Sequence, residues 1–263
     1  MTAPDVEIIV PTFGQEAFTL RCFESVLAHT TSYRLVWVDN GSPPASRSAL
    51  LATFARHRER LSIWSGRNLG FVGGVNVALR AILGDFSSDA EYVVLLNNDT
   101  EVTPQWLERL IGAMERDPSI AAAGPMTSPC SSWQAWPNVF AAWGEQAPES
   151  WGSAPPLEVS RALAAKFGDK VAPVSMIAFF CTVFRKRVFE EVGLLDPRFG
   201  AGLGDDDDYC FRLRGAGYHV AFVPSAYVVH HHRTTFRAVY TESEIAAMQR
   251  ENLSKYRAKH GIV

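Results

Sequence analysis

Four short segments of this chain bring together side chains capable of acid–base, metal or anion chemistry. Leu95-Leu96-Asn97-Asn98-Asp99-Thr100 runs from an apolar strand into a polar cluster holding one carboxylate. Such a cluster either closes the strand as an Asx turn or binds a ligand, because burying unpartnered polar groups is costly. Gly204-Asp205-Asp206-Asp207-Asp208 places four carboxylates at a helix start. The helix dipole offsets their repulsion only in part, and successive helical side chains diverge, so one or two at most can face a common centre. A solvated acidic helix start is the plain alternative, but the flanking Phe199 and Tyr209-Cys210-Phe211 argue for a pinned, partly buried segment. An EF-hand loop does not fit, lacking Gly at its sixth position and Glu at its twelfth. His230-His231-His232 follows the apolar Tyr227-Val228-Val229, and on a strand His230 and His232 share one face. These are either structural histidines or ligands, and carboxylate plus imidazole suits Mg²⁺ or Mn²⁺ better than a structural zinc. Finally, the glycines between Arg67 and Asn76 would let backbone approach an anion ahead of a helix N-terminus. The run is neither G-x-G-x-x-G nor a Walker A loop, and a plain β–α turn explains it equally well.

The elements that must carry these groups alternate. Val6–Val10, Leu35–Val38, Leu61–Trp64 and Tyr92–Leu96 read as buried strands, separated by helices over Glu16–His29, Ser46–Arg58 and Val75–Leu83. Continuous apolar strands between helices indicate a parallel sheet covered on both faces, with its ligand site beyond the strands' C-terminal ends. Pro11-Thr12, Asp39-Asn40 and Asn97-Asn98-Asp99 all fall at such ends. Thr103 is expected to cap a helix opening at Pro104. Residues 128–157 hold five Pro and four Trp without periodicity and read as an ordered or lid-like loop region. Beyond it lie a strand over Ser175–Phe184, short helices at Lys186–Val192 and Asp205–Gly215, and strands at Tyr218–Val223 and Tyr227–His232. Thr241-Glu242-Ser243-Glu244 is a capping box opening a final helix to about Lys259, either packed back or used in assembly.

Composition bounds the rest. With 263 residues, 47% apolar and 20% charged, the chain can bury a substantial core and is not a disordered polypeptide. A net charge of −3 supplies no basic excess for nucleic acid or an anionic membrane surface. The longest apolar stretch, Val174–Phe184, is broken by Ser175 and Thr182 and is too short to span a bilayer. The first residues lack the basic start of a signal peptide. Cys22, Cys130, Cys181 and Cys210 are widely spaced and read as reduced thiols of a cytosolic protein.

Taken in order, these segments resemble the family 2 inverting glycosyltransferases of GT-A fold, in the branch of bacterial rhamnosyl- and galactofuranosyltransferases. The carriers are Ile9-Val10-Pro11-Thr12-Phe13, Val38-Asp39-Asn40-Gly41-Ser42, Asn68-Leu69-Gly70-Phe71 with Gly74 and Asn76, and Leu96-Asn97-Asn98-Asp99-Thr100. They continue from Arg187 through Gly193, Asp196, Phe199, Asp205-Asp206, Asp208 and Arg212 to Gly217-Tyr218. The resemblance covers roughly Val6–Phe236 and implies a Rossmann-like mixed sheet, mostly parallel and flanked by helices. It implies one domain over 1–263: a nucleotide-binding half to about 125, an acceptor half over about 126–240, and a C-terminal helix over 241–263.

The resemblance also implies roles. Asp206 matches the catalytic base, while Pro11, Thr12, Asp39, Asn68, Gly74, Asn76 and Asn98 line the nucleotide pocket. Asp99 keeps the carboxylate of a D-x-D metal motif whose first position is Asn97, and His230 matches a late metal-binding histidine, with His232 its rival. Asp205, Phe179, Phe180 and Trp151 fall on the donor-sugar or acceptor side, where the two phenylalanines replace a small pair usual in relatives. The implied reaction is Mg²⁺- or Mn²⁺-dependent transfer of a sugar, rhamnose first, from a UDP- or dTDP-sugar to a glycan or lipid-linked glycan. The implied location is the cytoplasm, with room for peripheral attachment to the inner face of the cell membrane. Asn97 and Phe179-Phe180 keep a catalytically silent sugar-nucleotide or glycan-binding module as the alternative; neither acceptor identity nor oligomeric state can be read.

Overall fold

The structure is a computed structural model that describes residues 5–232 and 234–262. The outermost residues of the expected domain, and the first four of the segment read against a signal peptide, lie outside that range. Strands β1 (Val6–Thr12), β2 (Tyr33–Asp39), β3 (Glu59–Trp64) and β4 (Tyr92–Leu96) are parallel and ordered β3-β2-β1-β4. Helices α1 (Glu16–His29), α2 (Pro44–Phe54) and α3 (Gly70–Leu83) connect them. Every residue of β1 and β4 is buried, which is why these strands are apolar rather than alternating, apart from Thr12 at the end of β1 and Glu7, which pairs with Arg34. Thr12 pairs with Asp39 across β1 and β2, so the polar ends of the strands arrive level at one edge.

The second half makes the sheet mixed. It holds β5 (Thr100–Val102), α4 (Trp106–Arg116), β6 (Ile120–Thr127), α5 (Trp136–Ala142), α6 (Pro156–Phe167), β7 (Ala172–Val174), β8 (Cys181–Arg185), α7 (Val188–Glu191), α8 (Asp205–Gly215), β9 (His219–His230), α9 (Thr234–Val239) and α10 (Glu242–His260). β8 runs antiparallel between β4 and β6, β9 lies parallel to β6, and β5 and β7 pair antiparallel with β9. Two large apolar clusters cover the sheet, one including Phe23, Trp37 and Trp106, the other Leu79, Phe184 and Tyr209.

Several expectations change. β5 and β6 were not legible, since Ala121-Ala122-Ala123 carries little strand preference. Ser175–Phe184 is no single strand: its first part is irregular and only Cys181 onward joins the sheet. The two strands expected over Tyr218–His232 are one, and its register against β6 jumps from Val223 to Tyr227 around Pro224, which has no N–H to pair. Thr103 does not cap α4, because its hydroxyl donates to Tyr227 O at 2.7 Å; the helix opens at Trp106 after a left-handed Gln105. The 128–157 segment is packed, with α5 and a short 3₁₀ turn at Glu149–Gly152 held in a third cluster by Trp136, Phe140 and Trp151.

One glycine decides how the two halves meet. Gly70 has φ +73, its Cβ would lie 2.5 Å from Gly200 O, and Val72 N donates to that same oxygen at 3.1 Å. Gly70→Ala is therefore expected to cost about 2 kcal/mol, combining left-handed strain with a backbone clash. Chemical denaturation would show it, and an unchanged midpoint would mean that the 200 loop is not seated on α3.

Candidate active site

The strand ends open into a cavity of about 570 Å³. Pro11 and Thr12 from β1, Asn40 beyond β2, Asn68 before α3 and Asn97-Asn98-Asp99 beyond β4 line it. So do Asp205, Asp206 and Asp207 at the start of α8, His230 ending β9, His232, and side chains of α9 and α10. Groups more than a hundred residues apart in sequence thus share one space, as the strand-end argument expects.

Asp99 and His230 meet because β5 returns the chain from β4 to β9, pairing Thr100 with His230. His230 Nε2 stands 3.3 Å from Asp99 Oδ1, and the ring stacks on Phe180 with centroids 4.9 Å apart. Neither buried ring nitrogen has a well-formed hydrogen bond among the described residues. The other oxygen, Asp99 Oδ2, accepts from Thr234 N (3.2 Å) and Thr234 Oγ1 (3.0 Å). Burial acts to raise the Asp99 carboxyl, yet His230 and Thr234 hold it below the ordinary value. Burial likewise lowers His230, but the Asp99 carboxylate and the Cys130 thiol outweigh it and push the imidazole to about 9. A carboxylate facing an under-bonded imidazole fits one side of a hard divalent cation. Among the described residues no group of three His, Cys, Asp or Glu donors forms, so the pair would supply only part of a coordination shell. Of the rival histidines, His230 is the one beside Asp99; His232 also lines the cavity, its backbone left-handed at φ 57.

The acidic run occupies the first turn of α8 over the bounds read from sequence. A loop with positive φ at Gly200, Gly202, Leu203 and Gly204 aims it into the cavity, and such strain in a non-glycine residue clusters at functional sites. Burial, then the neighbouring Asp207 charge, raises Asp206 to about 6, although Asp207 N donates to its Oδ1 at 3.0 Å. Asp205 is raised well above its usual range by burial and the adjoining carboxylates. Asp208 points elsewhere and is fully buried among cations.

The expected nucleotide residues divide. Pro11, Thr12, Asn68 and Asn98 line the cavity. Thr12 Oγ1 already accepts from Trp37 Nε1 (2.9 Å) and contacts Val38 O (3.3 Å), while Asn98 Nδ2 donates to Thr19 Oγ1 (2.9 Å). Asp39 sits behind this surface, its carboxylate held by Ser42 N (2.9 Å) and the Arg47 guanidinium, which also covers Trp64. Gly74 and Asn76 are corrected: neither lines the cavity. Gly74 gives room to the Asn40 amide, which ties Asn68, Leu69 and Gly70 together. Asn76 spends both ends of its amide on the Leu195 backbone.

On the acceptor side, Phe179 and Phe180 show only an edge to the cavity and are otherwise buried. Trp151 is corrected, since it packs edge-on against Trp136 and Phe140 away from the cavity. Sequence reasoning missed Thr234, Phe236, Tyr240, Leu253 and Tyr256. Only the i,i+4 aromatic pair Phe236/Tyr240 and the Leu253/Tyr256 spacing on the last helix hinted at them.

Comparison with known proteins matches this geometry. Residues 7–193 match the description Glycosyl transferase family 2. An N-acetylglucosaminyl-diphospho-decaprenol L-rhamnosyltransferase of Mycobacterium tuberculosis is 28% identical over 222 residues, spanning 78% of this chain and 68% of that protein. An O-antigen biosynthesis protein of Myxococcus xanthus is 27% identical over 241 residues, which are 89% of this chain but 18% of its own length. Among solved structures, a mannosyltransferase from Pyrobaculum calidifontis with GDP-Man and Mn²⁺ superposes with TM-score 0.66 at 18% identity, covering 99% of this chain and 65% of that one. GalNAc-T7 with UDP, GalNAc and Mn²⁺ gives 0.63 at 16% identity, covering 86% and 42%. At such identities the structural likeness shows the GT-A glycosyltransferase fold.

Proposed function

The chain belongs to Glycosyl transferase family 2, and from that premise we propose that it transfers a sugar, with inversion, from a UDP- or dTDP-sugar to a hydroxyl of a glycan or lipid-linked glycan. One observation carries this reading: Asp206, raised to about 6, opens into the same cavity as the Asp99–His230 pair. In the proposed step Asp206 takes the acceptor hydroxyl's proton as that oxygen bonds to the anomeric carbon, and the bond from that carbon to the diphosphate oxygen breaks. Single displacement inverts the carbon without a covalent enzyme adduct. Asp99 and His230 would hold Mg²⁺ or Mn²⁺, which when bound neutralises charge developing on the leaving diphosphate. Thr12, Asn68 and Asn98 would bound the nucleotide, placing it in the half up to about residue 125, with the acceptor on the side of residues 126–240.

Rhamnose remains the first candidate donor sugar, supported by the name of the mycobacterial rhamnosyltransferase, and the O-antigen biosynthesis protein supports a role in cell-surface polysaccharide synthesis. The mycobacterial relative acts on a lipid diphosphate, which supports a lipid-linked acceptor and work beside a membrane. Among the described residues no helix is long and apolar enough to cross one. The test is incubation of the purified chain with UDP- and dTDP-sugars and Mn²⁺, reading free UDP or dTDP. Nucleotide binding without release from any donor and acceptor pair would favour the silent module instead.

The metal assignment gives its own expected result. UDP or dTDP with Mn²⁺ should raise the Tm of the chain more than nucleotide alone, and EDTA should remove the increment. Asp99→Ala and His230→Ala should each lose it while keeping the smaller nucleotide shift. An increment unchanged in both variants would place the cation elsewhere.

A further inference from the structure

The wall that α9 and α10 add to the cavity, beyond the family match, presents mainly apolar and aromatic side chains. Residues 7–193 carry that match, whereas Leu203, α9 and α10 lie after it. α9 leaves the Asp99 site through Thr234 and reaches the acidic loop, where Phe236 Cζ lies 3.8 Å from the position a Gly202 Cβ would take. No residue of α9 is buried, and Val239 and Leu253 are 40% and 49% exposed although both line the cavity. α10 is anchored from another face: Asn252 Nδ2 donates to Gly202 O (2.8 Å), Lys255 Nζ to Arg198 O (3.0 Å) and Lys259 Nζ to Asp196 Oδ2 (2.7 Å). Those bonds hold Leu253 and Tyr256 in the lining rather than leaving them on a loose surface helix.

We infer that Phe71, Phe236, Val239, Tyr240, Leu253 and Tyr256 form a subsite for an uncharged aliphatic or aromatic group attached to the acceptor sugar, beside Asp206. The inference rests on the sugar-transfer reading and narrows its acceptor. Charge sets the occupant: the carboxylates opening α8 repel an anionic group here, and among the described residues no lysine or arginine of the α9–α10 wall lines the cavity to hold one. Apolar area so exposed inside a substrate cavity marks a binding surface.

The test uses the full chain with saturating UDP (or dTDP) and Mn²⁺, titrated calorimetrically with methyl, hexyl and 4-nitrophenyl β-D-glucosides. Hexyl and nitrophenyl glucosides should bind about tenfold tighter than the methyl glucoside, the gain from seating two or so methylenes or a ring. Leu253→Glu and Phe236→Ser should each bring the three within about twofold of one another, while the nucleotide–Mn²⁺ thermal shift persists. Equal binding of all three by the wild-type chain, or a preference surviving both variants, overturns the subsite and leaves the transfer reading intact. Absence of any nucleotide–Mn²⁺ shift in the wild-type chain overturns the reading beneath it.

Discussion

Asp206→Asn is expected to lower sugar transfer by about a thousandfold, within the range for loss of a general base, while leaving the nucleotide–Mn²⁺ thermal shift in place. The carboxylate is the only part removed; Asn keeps the volume and can still accept from Asp207 N, which now bonds Oδ1 at 3.0 Å. The same site fixes the pH profile. Burial and Asp207 lift Asp206 to about 6, so the base is protonated below that value and transfer should fall as pH drops through 6. Burial, then the neighbouring Asp206 charge, raises Asp205 as well, so the two adjoining carboxyls resist carrying two charges together. A stability consequence follows from the sign of the shift. The folded state binds this proton more tightly than the unfolded chain does, so stability is lost as pH rises from the ordinary carboxylate value of 3.8 through about 6, and the full cost is carried above that. Asp206→Asn should therefore raise Tm near pH 7.5, with the gain shrinking toward pH 4. Turnover retained in the variant would hand the role of base to another group; a lowered Tm at pH 7.5 would show that the carboxylate is not strained by its burial.

Much of this site could be read before any coordinates because strand ends are written in residue types. Pro11-Thr12 and Asn97-Asn98-Asp99 follow fully buried runs, and a chain that buries β1 and β4 must release its polar groups at their ends. The bounds of α8 were legible because Gly204 and Gly215-Ala216-Gly217 punctuate both sides, and α10 because Thr241 and Glu244 complete a capping box. What could not be read depends on partners distant in sequence. Asn76 looks like a pocket residue from its place after a glycine run, but only the fold puts Leu195 against its amide. Trp151 resembles a sugar platform until Trp136 and Phe140 close around it. β6 hides in alanines because burial between β8 and β9, not side-chain preference, makes it a strand. The cavity wall of α9 and α10 escaped for the same reason: its side chains are ordinary for an amphipathic helix until the acidic loop is seen beside them.

Asp208→Ala is expected to be the costliest single change for stability, at about 3–5 kcal/mol, because it would take a fully buried carboxylate from the mostly covered Arg212 and Lys259. Asp208 is fully buried and accepts from Arg212 Nε (3.0 Å), Lys259 Nζ (2.6 Å) and His260 Nε2 (2.8 Å). Lys259 and the His260 side chain are themselves mostly covered, so little water can replace the lost carboxylate. Lys259→Met should cost less, since Arg212 and His260 still face Asp208, and Lys259 also releases Asp196, which keeps Arg198. Combining the two changes should cost clearly less than their sum, because Asp208→Ala alone leaves Lys259 with only Asp196, and the double variant no longer holds that half-paired lysine. Urea unfolding of the four chains closes this cycle. The cluster joins α8, which carries Asp206, to α10, which carries Leu253 and Tyr256, so the same loss should also loosen the acceptor wall before global unfolding. A cost below about 1 kcal/mol for Asp208→Ala, the scale of an exposed ion pair, would mean that water reaches the cluster and that α10 is held by its other contacts, such as Asn252 to Gly202 O and Lys255 to Arg198 O.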